Sequence, residues 1–432
     1  MKTAQEWVKN YDALATTPSR RDALAIAAAG LSAIDTEYVI KDSVKIVNTP
    51  TGDVLDIIGN KYELSKFRSI HLIGFGKVVC KATASLEMIF GDRLTSGIVI
   101  GNEKAVCNTV ESFTGSHPLP SKLNVEASGA IVTLSEGLGE NDLVIVVVSG
   151  GGSAMLCWPP EECEQGQKLY EEFLKTGGTI AELNTIRKHI SSVKGGGLAK
   201  ILYPATVVGL IFSDVPGSGE SVYAEVASGP TYRDSSTVAD VEMVLTRYHM
   251  QGYKLNETPK EDMYFTRVTN IPLVSNHEAL QAMASCGREL GYDTTIVSDT
   301  VYDAPERALD MMFGALVNSK QLILAGGEPM LRVPVNHGKG GRNEHIALLA
   351  LDRINEGQTF YSLASDGHDN NIAAGAIADI TTRTKVTAAS LDTKTYVDNF
   401  DAYSLFEKTG DLIVTGSTEA NVSDLMVLLS NN

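Results

Sequence analysis

The residues best suited to chemistry lie in short glycine-rich turns. The stretch "VSGGGSAML" (148–156) follows the apolar run 143–148 and places three glycines between two serines. Glycine has no Cβ, so such a loop lets backbone N–H groups and hydroxyls approach an anion closely. We predict that this loop binds phosphate, with a flexible turn as the alternative. Its residues are Ser149, Gly150, Gly151, Gly152 and Ser153.

A second loop of this type is "GFGKVVC" (74–80), in which Gly74 and Gly76 are followed by Lys77. We predict that the glycines expose backbone N–H groups and that Lys77 adds a point charge suited to phosphoryl oxygens. A tight turn with a solvated lysine is the alternative. The chain has no Gly-x-x-x-x-Gly-Lys-Ser/Thr motif, and Val79 stands where a dinucleotide fingerprint needs a small residue. A Walker-type site and hydride transfer are therefore disfavoured.

Cationic residues follow the triple glycine in "LNTIRKHISSVKGGGLAK" (183–200). Helical spacing places Asn184 and Arg187 on neighbouring turns, and Lys194 precedes another triple glycine. We predict that these three side chains hold the carboxylate or phosphate of an anionic substrate, although a solvated helix face gives the same pattern.

Acidic residues stand directly after several apolar runs. Glu328 and Asp366 do so in "AGGEPMLRV" and "SDGHDN", and they are predicted to hold Mg²⁺ together with phosphate oxygens. Asp214 is the predicted base that accepts a proton from an attacking hydroxyl, with Asp366 and Asp369 left open for that role. Helix capping is the alternative for each of them.

Arg342 begins the apolar stretch of "HGKGGRNEHIALLA" (337–350). A planar guanidinium at this place can neutralise the charge of a transferring phosphoryl group. His337, His345 and His368 lack metal-ligand spacing and are predicted to be structural or solvated.

Nine short apolar runs alternate with longer helical stretches and must position these residues. The pattern predicts an α/β protein with two three-layer α/β/α domains and mostly parallel sheets. In such sheets ligands bind beyond the carboxyl ends of the strands. The runs begin at residues 69, 96, 142, 205, 271, 293, 321, 359 and 411.

The length of 432 residues predicts two domains. The strand pattern lapses between 234 and 270, so we expect an N-terminal domain over 1–250, a linker over 251–270 and a C-terminal domain over 271–432.

Composition narrows the partners and the compartment. The net charge of −17 excludes nucleic acid as an expected partner, and no apolar run is long enough for a membrane span. Five scattered cysteines favour a cytoplasmic setting. The segment "SRRDALAIAAAGLSAI" (19–34) is similar to a twin-arginine export signal, but an amphipathic first helix explains it equally well.

The ordered motifs together resemble one known family, the class II glycerate kinases, also called the MOFRL family. They are "GFGK", "HPLP" (117–120), "VSGGGSAML", "NTIRKHISSVKGGGLA", "SDVPG", "ASGPTYRD", "GGEP", "GKGGRNEHIAL", "SDGHDNNIAAG" and "TGSTEANVSDL". The resemblance covers about residue 20 to the end. This chain departs from the family pattern at Ser218, where Asp is usual, at Glu344 and His345, where Gln and Glu are usual, and at Asn370, where Gly is usual.

The resemblance implies ATP-dependent phosphorylation of D-glycerate to 2-phosphoglycerate, with Mg²⁺ or another divalent cation. It implies a Rossmann-like N-terminal glycerate kinase domain, a C-terminal MOFRL-type domain and an active site in the interdomain cleft. Lys77 and Arg342 match the family's proposed catalytic pair.

Three alternatives stay open at this point. They are formation of 3-phosphoglycerate, phosphorylation of another small hydroxy acid, and a non-catalytic sensor of sugar phosphates or nucleotides. The sequence also leaves open whether the protein is a homo-oligomer.

Overall fold

A computed structural model describes residues 2–431, which form two compact units. The N-terminal unit comprises 39–215 and 219–273, and the C-terminal unit comprises the residues up to Tyr38, 216–218 and 274 onwards. Each unit is built on its own six-stranded sheet.

Eighteen α-helices and fifteen strands lie within the described residues. The helices are α1 Ala4–Trp7, α2 Tyr11–Leu14, α3 Pro18–Ala33, α4 Thr36–Ser43, α5 Val79–Phe90, α6 Lys122–Ser135, α7 Gly152–Met155, α8 Pro160–Phe173, α9 Ile180–His189, α10 Gly197–Leu202, α11 Glu220–Tyr223, α12 Val238–Arg247, α13 Asn276–Glu289, α14 Pro305–Gly314, α15 Arg342–Leu351, α16 Ile380–Ala388, α17 Thr393–Asp398 and α18 Ala402–Thr409. The strands are β1 Val44–Thr49, β2 Gly52–Ile57, β3 Asn60–Glu63, β4 Ser69–Phe75, β5 Ser96–Gly101, β6 Val110–Thr114, β7 Asp142–Ser149, β8 Thr206–Phe212, β9 Val268–Val274, β10 Asp293–Val301, β11 Lys320–Gly327, β12 Gln358–Ala364, β13 Gly375–Asp379, β14 Leu412–Ile413 and β15 Asp424–Asn431.

The main sheet of the N-terminal unit has the order β6-β5-β4-β7-β8-β9, and its pairs from β6 to β8 are parallel. All eight residues of β7 are buried, as its run of valine and isoleucine predicts for a strand covered on both faces. Helix α6 packs on one face, and α5 packs against β4, β5 and β7 through Val79, which approaches Gly74. The parallel order brings the carboxyl ends of β4, β7 and β8 to one edge of the sheet.

The small antiparallel sheet β1-β2-β3 in the same unit was not predicted. Its strands are mostly exposed or half-buried. Because only few of their residues are buried, the sequence lacks the continuous apolar run on which the strand predictions relied.

The sheet of the C-terminal unit has the order β10-β11-β15-β12-β13-β14 and is mixed. Strand β15 pairs antiparallel with both β11 and β12, and β13 pairs antiparallel with β12 and β14. The α/β class is confirmed, but the prediction of mostly parallel strands is wrong for this sheet. Helices α3 and α13 cover one face and α14, α15 and α18 the other, which gives three layers.

The division into units differs from the predicted boundaries at two places. Helix α3 packs on the C-terminal sheet, where Gly30 leaves room for Met283 of α13. The segment 251–270 is part of the N-terminal unit, since Asn256 N donates to His189 O at 2.7 Å and Lys260 Nζ donates to Asp234 O at 2.9 Å. Polar composition therefore marked a segment bound to the unit surface rather than a linker.

No single helix among residues 2–431 has the length and apolarity needed to cross a membrane; only α3 and α4 taken together, with a bend of 58° between them, pass on length and composition.

The paired arginines at the start of α3 have different surroundings. Arg20 is fully buried, and its guanidinium donates to both oxygens of Asp379 at 2.7 and 2.8 Å and to Asp411 Oδ1 at 2.7 Å. Arg21 is exposed and donates to Ala15 O at 3.1 Å. Arg20 is thus a core residue that ties α3 to the far end of the chain.

We expect Arg20→Ala to lower the free energy of unfolding by about 3–5 kcal/mol, because it leaves the buried Asp379 without its arginine and removes one of the two cations at Asp411, the other being Lys385. The matched variant Arg21→Ala should stay within about 0.5 kcal/mol of wild type. Urea titration followed by circular dichroism measures both. Equal stability of the two variants would contradict the role given to Arg20.

Candidate active site

The predicted site residues form two groups, one in each unit. In the N-terminal unit they surround the two glycine loops, which the backbone joins: Lys77 N donates to Gly150 O at 2.9 Å. Gly76 N donates to Ile100 O at 3.1 Å. These two N–H groups are therefore used by the chain itself and cannot cradle a phosphate.

Most of the loop glycines are required by close packing within the unit. A Cβ on four of them would overlap neighbouring atoms of the chain, which are Val79 for Gly74, Ser149 for Gly76, Asp214 for Gly150, and Ala227 for Gly152. The prediction that a phosphate explains these glycines is not supported, because the chain supplies the close neighbour. Ser149 is likewise fully buried, and its hydroxyl contacts Phe75 O at 3.5 Å.

Gly151 and Ser153 are the members of the predicted phosphate loop that remain partly exposed. Gly151 has a φ of 82°, which favours glycine, and it lies between two functional candidates. The position of a Cβ there is 3.3 Å from His117 Cδ2 and 3.4 Å from Lys77 Cγ. Lys77 and His117 therefore flank the exposed part of the glycine loop.

His117 was not among the predicted site residues, although it opens the "HPLP" motif. Partial desolvation lowers the pKa of its imidazole, and the nearby charges of Lys77 and Arg187 lower it further. The ring is thus held neutral beside two cations. Asn124, which is fully buried, fixes this loop by accepting from Ser116 N at 2.9 Å and donating to Ala154 O at 2.8 Å.

Arg187 and Asn184 continue this cluster on α9. Arg187 donates to Asn184 Oδ1 at 3.3 Å, and Asn184 Oδ1 also accepts from Ser228 Oγ at 3.4 Å. The Ser228 hydroxyl in turn lies 2.9 Å from Ser153 Oγ. Desolvation lowers the pKa of Arg187, and within residues 2–431 no carboxylate lies within 4 Å of its guanidinium or of Lys77 Nζ. These two cations can therefore receive an external anion.

Lys194 does not belong to this group, contrary to prediction. Its side chain is buried, donates to Leu156 O at 2.7 Å and forms an ion pair with the buried Glu162. Burial requires the ammonium to be paired inside the unit, so it is not available to a substrate.

Asp214 follows β8 and lies directly over Gly150, because its Oδ2 occupies the space that a Cβ on Gly150 would need. The side chain is half-buried. The predicted base therefore stands at the same sheet edge as Lys77.

In the C-terminal unit the predicted residues line one cavity of about 580 Å³. Glu328 follows β11, Asp366 follows β12, and Arg342 begins α15. Asp424 begins β15 and stands opposite Gly327 on one side and Ala364 on the other. Strand β15 thus starts at the sheet edge where β11 and β12 end. These two neighbours run in the same direction as each other and antiparallel to β15.

Asp424 holds Arg342 in place and was missed by the sequence analysis. It is 2% exposed, accepts from Arg342 Nε and accepts from Asn343 Nδ2 at 2.8 Å. Arg342 also lies 3.3 Å from Glu328 Oε1. Burial raises the pKa of Asp424 to about 7, against the opposing effect of Arg342. The apolar run "LMVLL" directly after Asp424 was the available signal.

The alternative reading of strand-end acids as helix caps holds for Asp369. Its carboxylate accepts from Asn343 N at 3.2 Å and from Glu344 N at 2.8 Å at the start of α15. Asp366 is half-buried and accepts from His368 N at 3.0 Å. Asp366, unlike Asp369, therefore keeps exposed carboxylate surface in the cavity.

The residues present fit a Mg²⁺ ion that is bound jointly with phosphates. The described chain contains no group of three or more His, Cys, Asp or Glu side chains arranged to hold a metal ion, so a site made by the protein alone is not formed. Glu328 and Asp366 nevertheless line the same cavity, and Mg²⁺ commonly binds through one or two carboxylates plus phosphate oxygens. His337, His345 and His368 also line this cavity.

Candidate anion-binding cations in one α/β unit and an arginine beside carboxylates in the other are features that phosphoryl-transfer enzymes also have. Comparisons with known proteins agree. Residues 22–260 match a domain of unknown function, DUF4147, and residues 321–424 match the MOFRL family. A D-glycerate 2-kinase from Thermotoga maritima is 32% identical over 421 residues, which cover 91% of this chain and 99% of that protein.

Two further comparisons complete this result. A relative from Agrobacterium vitis, provisionally named a hydroxypyruvate reductase, is 31% identical and covers 86% of this chain, which covers 90% of that protein. The crystal structure of a glycerate kinase from Thermotoga maritima has a TM-score of 0.82 at 28% identity and covers 95% of this chain and 99% of that one. The chain belongs to the class II glycerate kinase family.

We expect Gly150→Ala to lower the free energy of unfolding by about 1–3 kcal/mol, because the added methyl group would overlap the Asp214 carboxylate. Gly137→Ala is the control, since a Cβ there meets open space. Thermal unfolding of both variants measures the difference. An unchanged melting temperature for Gly150→Ala would restore the explanation that this glycine serves only a ligand.

The buried Glu344 predicts a pH dependence of stability. Burial and the nearby Asp369 raise its pKa to about 8. A raised carboxyl pKa contributes stability that is complete below the unfolded value and is lost as the pH rises through about 8. We therefore expect Glu344→Gln to flatten the fall in stability between about pH 5 and pH 8, measured by urea titration. The exposed control Glu289→Gln should keep the wild-type slope, and a wild-type slope in Glu344→Gln would contradict the shift.

Proposed function

We propose that this protein transfers the γ-phosphoryl group of ATP to the C2 hydroxyl of D-glycerate and forms 2-phosphoglycerate. Family membership supports the reaction class. The observation that carries the proposal in this chain is the pair of cations beside Gly151, Lys77 and Arg187, which have no carboxylate within 4 Å in the described chain. A small hydroxy acid supplies the missing negative charge.

In the N-terminal unit, Arg187 and the neighbouring hydroxyl of Ser153 would bind the glycerate carboxylate. Lys77 would place its charge on the transferring group, and Gly151 leaves the space for it. Asp214 would accept the proton of the attacking hydroxyl. The neutral imidazole of His117 lies in the same cluster and is a second candidate for that proton, because its lowered pKa leaves it an acceptor at neutral pH.

In the C-terminal unit, Arg342 would neutralise the charge that develops on the phosphoryl oxygens, in the orientation that Asp424 gives it. Glu328 and Asp366 would hold Mg²⁺, which supplies charge neutralisation to the phosphates when it is bound. We propose that Lys77 and Arg342 act in the same transfer step. The low cysteine content, five residues without Cys-x-x-Cys spacing, supports a cytoplasmic setting.

The test is a coupled ADP-release assay with ATP, Mg²⁺ and D-glycerate, followed by phosphorus NMR of the product. Phosphate on the C2 oxygen supports the proposal, and phosphate on C3 keeps the kinase and corrects the product. Nicotinamide-dependent reduction of hydroxypyruvate without ADP release would favour the reductase named among the relatives. Thermal protection by ATP without turnover would favour a sensor.

We expect Lys77→Ala and Arg342→Ala each to lower kcat/KM for glycerate by about 100-fold or more, because each removes a charge from the transition state. Lys66→Ala is the control, since Lys66 is exposed and its ion pair is with the exposed Glu63 at 3.0 Å. Steady-state kinetics with melting temperatures separate lost catalysis from lost folding. Activity within a few-fold of wild type in either variant would remove that residue from the mechanism.

A further inference from the structure

The cavity of the C-terminal unit is larger than its phosphoryl chemistry requires. Its volume of about 580 Å³ lies within the range of sites for organic ligands, which is about 300–1,000 Å³. A three-carbon acid and a metal ion would leave most of it empty. A larger ligand with a charged end and an uncharged end fits the space better.

The walls of the cavity are divided by chemistry. The polar part contains Arg342, Glu328 and Asp366. The apolar part is formed by Tyr302, Pro329, Met330, Leu331, Val333 and Phe400. Met330 and Val333 are 59% and 46% exposed, which is high for side chains of their type on one rim. Apolar surface next to a phosphoryl site suits the base and sugar of a nucleotide.

An aromatic pair stands in this apolar part. The rings of His345 and Phe400 stack with centroids 5.0 Å apart and an interplanar angle of 9°. His345 is buried, so one face of Phe400 is backed by a ring while the residue as a whole remains half-exposed. Burial lowers the pKa of His345, which keeps the imidazole neutral, and its Nδ1 has no hydrogen-bond partner within the described residues.

Phe400 has a strained backbone conformation. Its φ of 51° is a strained value for a bulky residue. The segments on both sides of it are tied to the loop before α15, since Gly338 N donates to Asn399 O at 2.7 Å and Lys339 N donates to Asp401 Oδ1 at 2.8 Å. Strain that is held by surrounding contacts is typical of ligand sites.

We propose that the aromatic base of the nucleoside triphosphate stacks on Phe400 in this cavity, with His345 backing the ring and the phosphates directed towards Arg342. This deepens the proposed kinase function and rests on it for the identity of the triphosphate. The base gains stacking energy on the exposed ring face. The cavity carboxylates then face phosphates that arrive with Mg²⁺.

The experiment compares the binding of Mg²⁺–ATP and Mg²⁺–tripolyphosphate by calorimetry, for wild type and for Phe400→Leu. Leucine keeps the apolar volume and removes the ring. We expect wild type to bind ATP at least about tenfold more tightly than tripolyphosphate, and Phe400→Leu to weaken ATP binding by about tenfold. Binding of tripolyphosphate should stay within twofold between the two proteins.

Tyr396→Leu on the neighbouring helix α17 is the matched control, because it removes an aromatic ring that does not line the cavity. It should leave ATP binding unchanged. The comparison of ATP with tripolyphosphate on wild type needs no variant, so it can overturn the proposal even if Phe400→Leu fails to fold. Equal affinities for the two ligands, or an unchanged ATP affinity in folded Phe400→Leu, would overturn the proposal.

Failure of the proposal and failure of the proposed function give different results. If glycerate is not phosphorylated but ATP binding depends on Phe400, the base site stands and the kinase assignment falls. If glycerate is phosphorylated with the same KM for ATP in wild type and Phe400→Leu, the kinase stands and the base site falls. In a kinase with this base site, Phe400→Leu raises the KM for ATP about tenfold and leaves the KM for glycerate unchanged.

Discussion

One buried carboxylate organises the C-terminal unit. Asp424 is the first residue of the central strand, and its two oxygens accept from the side chains of Arg342 and Asn343 at the start of α15. A buried charge without its partner costs several kcal/mol, so the strand and the helix hold each other in one arrangement. The arginine that faces the cavity is therefore oriented by the same contact that joins strand and helix. Glu328 follows one flanking strand and lies 3.3 Å from the guanidinium, and Asp366 follows the other and lines the same cavity.

The constraint in the N-terminal unit is steric rather than ionic. The ends of β4, β7 and β8 approach so closely that a Cβ on Gly74, Gly76 or Gly150 would overlap another part of the chain. Close packing of this kind leaves little freedom to the loops, and Lys77 and His117 are consequently held on either side of Gly151. In the proposed anion site the glycines would act indirectly, because they allow the backbone segments to approach closely and leave the binding to the side chains.

The cations of the candidate site contrast with the acidic composition of the protein. The chain has a net charge of −17, yet Lys77 and Arg187 have no carboxylate within 4 Å among residues 2–431. Cations left unpaired in an acidic protein create a local positive potential that favours a small anion. Buried cations with structural roles, such as Arg20 and Lys194, are in contrast fully paired. Pairing by the chain itself thus separates the structural cations from those that are available to a ligand.

The sequence by itself determined the α/β class, most of the long buried strands and the position of acids and glycines at their ends, because continuous apolar runs and backbone-permissive residues are local signals. It also carried the ordered motifs that identify the family. Only the tertiary structure decided that β15 enters its sheet antiparallel, that α3 packs on the C-terminal sheet, and that Lys194 forms a buried ion pair with Glu162. The roles of Asp424 and of the stacked pair His345 and Phe400 were decided there as well. Each of these depends on contacts between residues far apart in the chain, and such contacts leave no periodic or compositional signal near either partner.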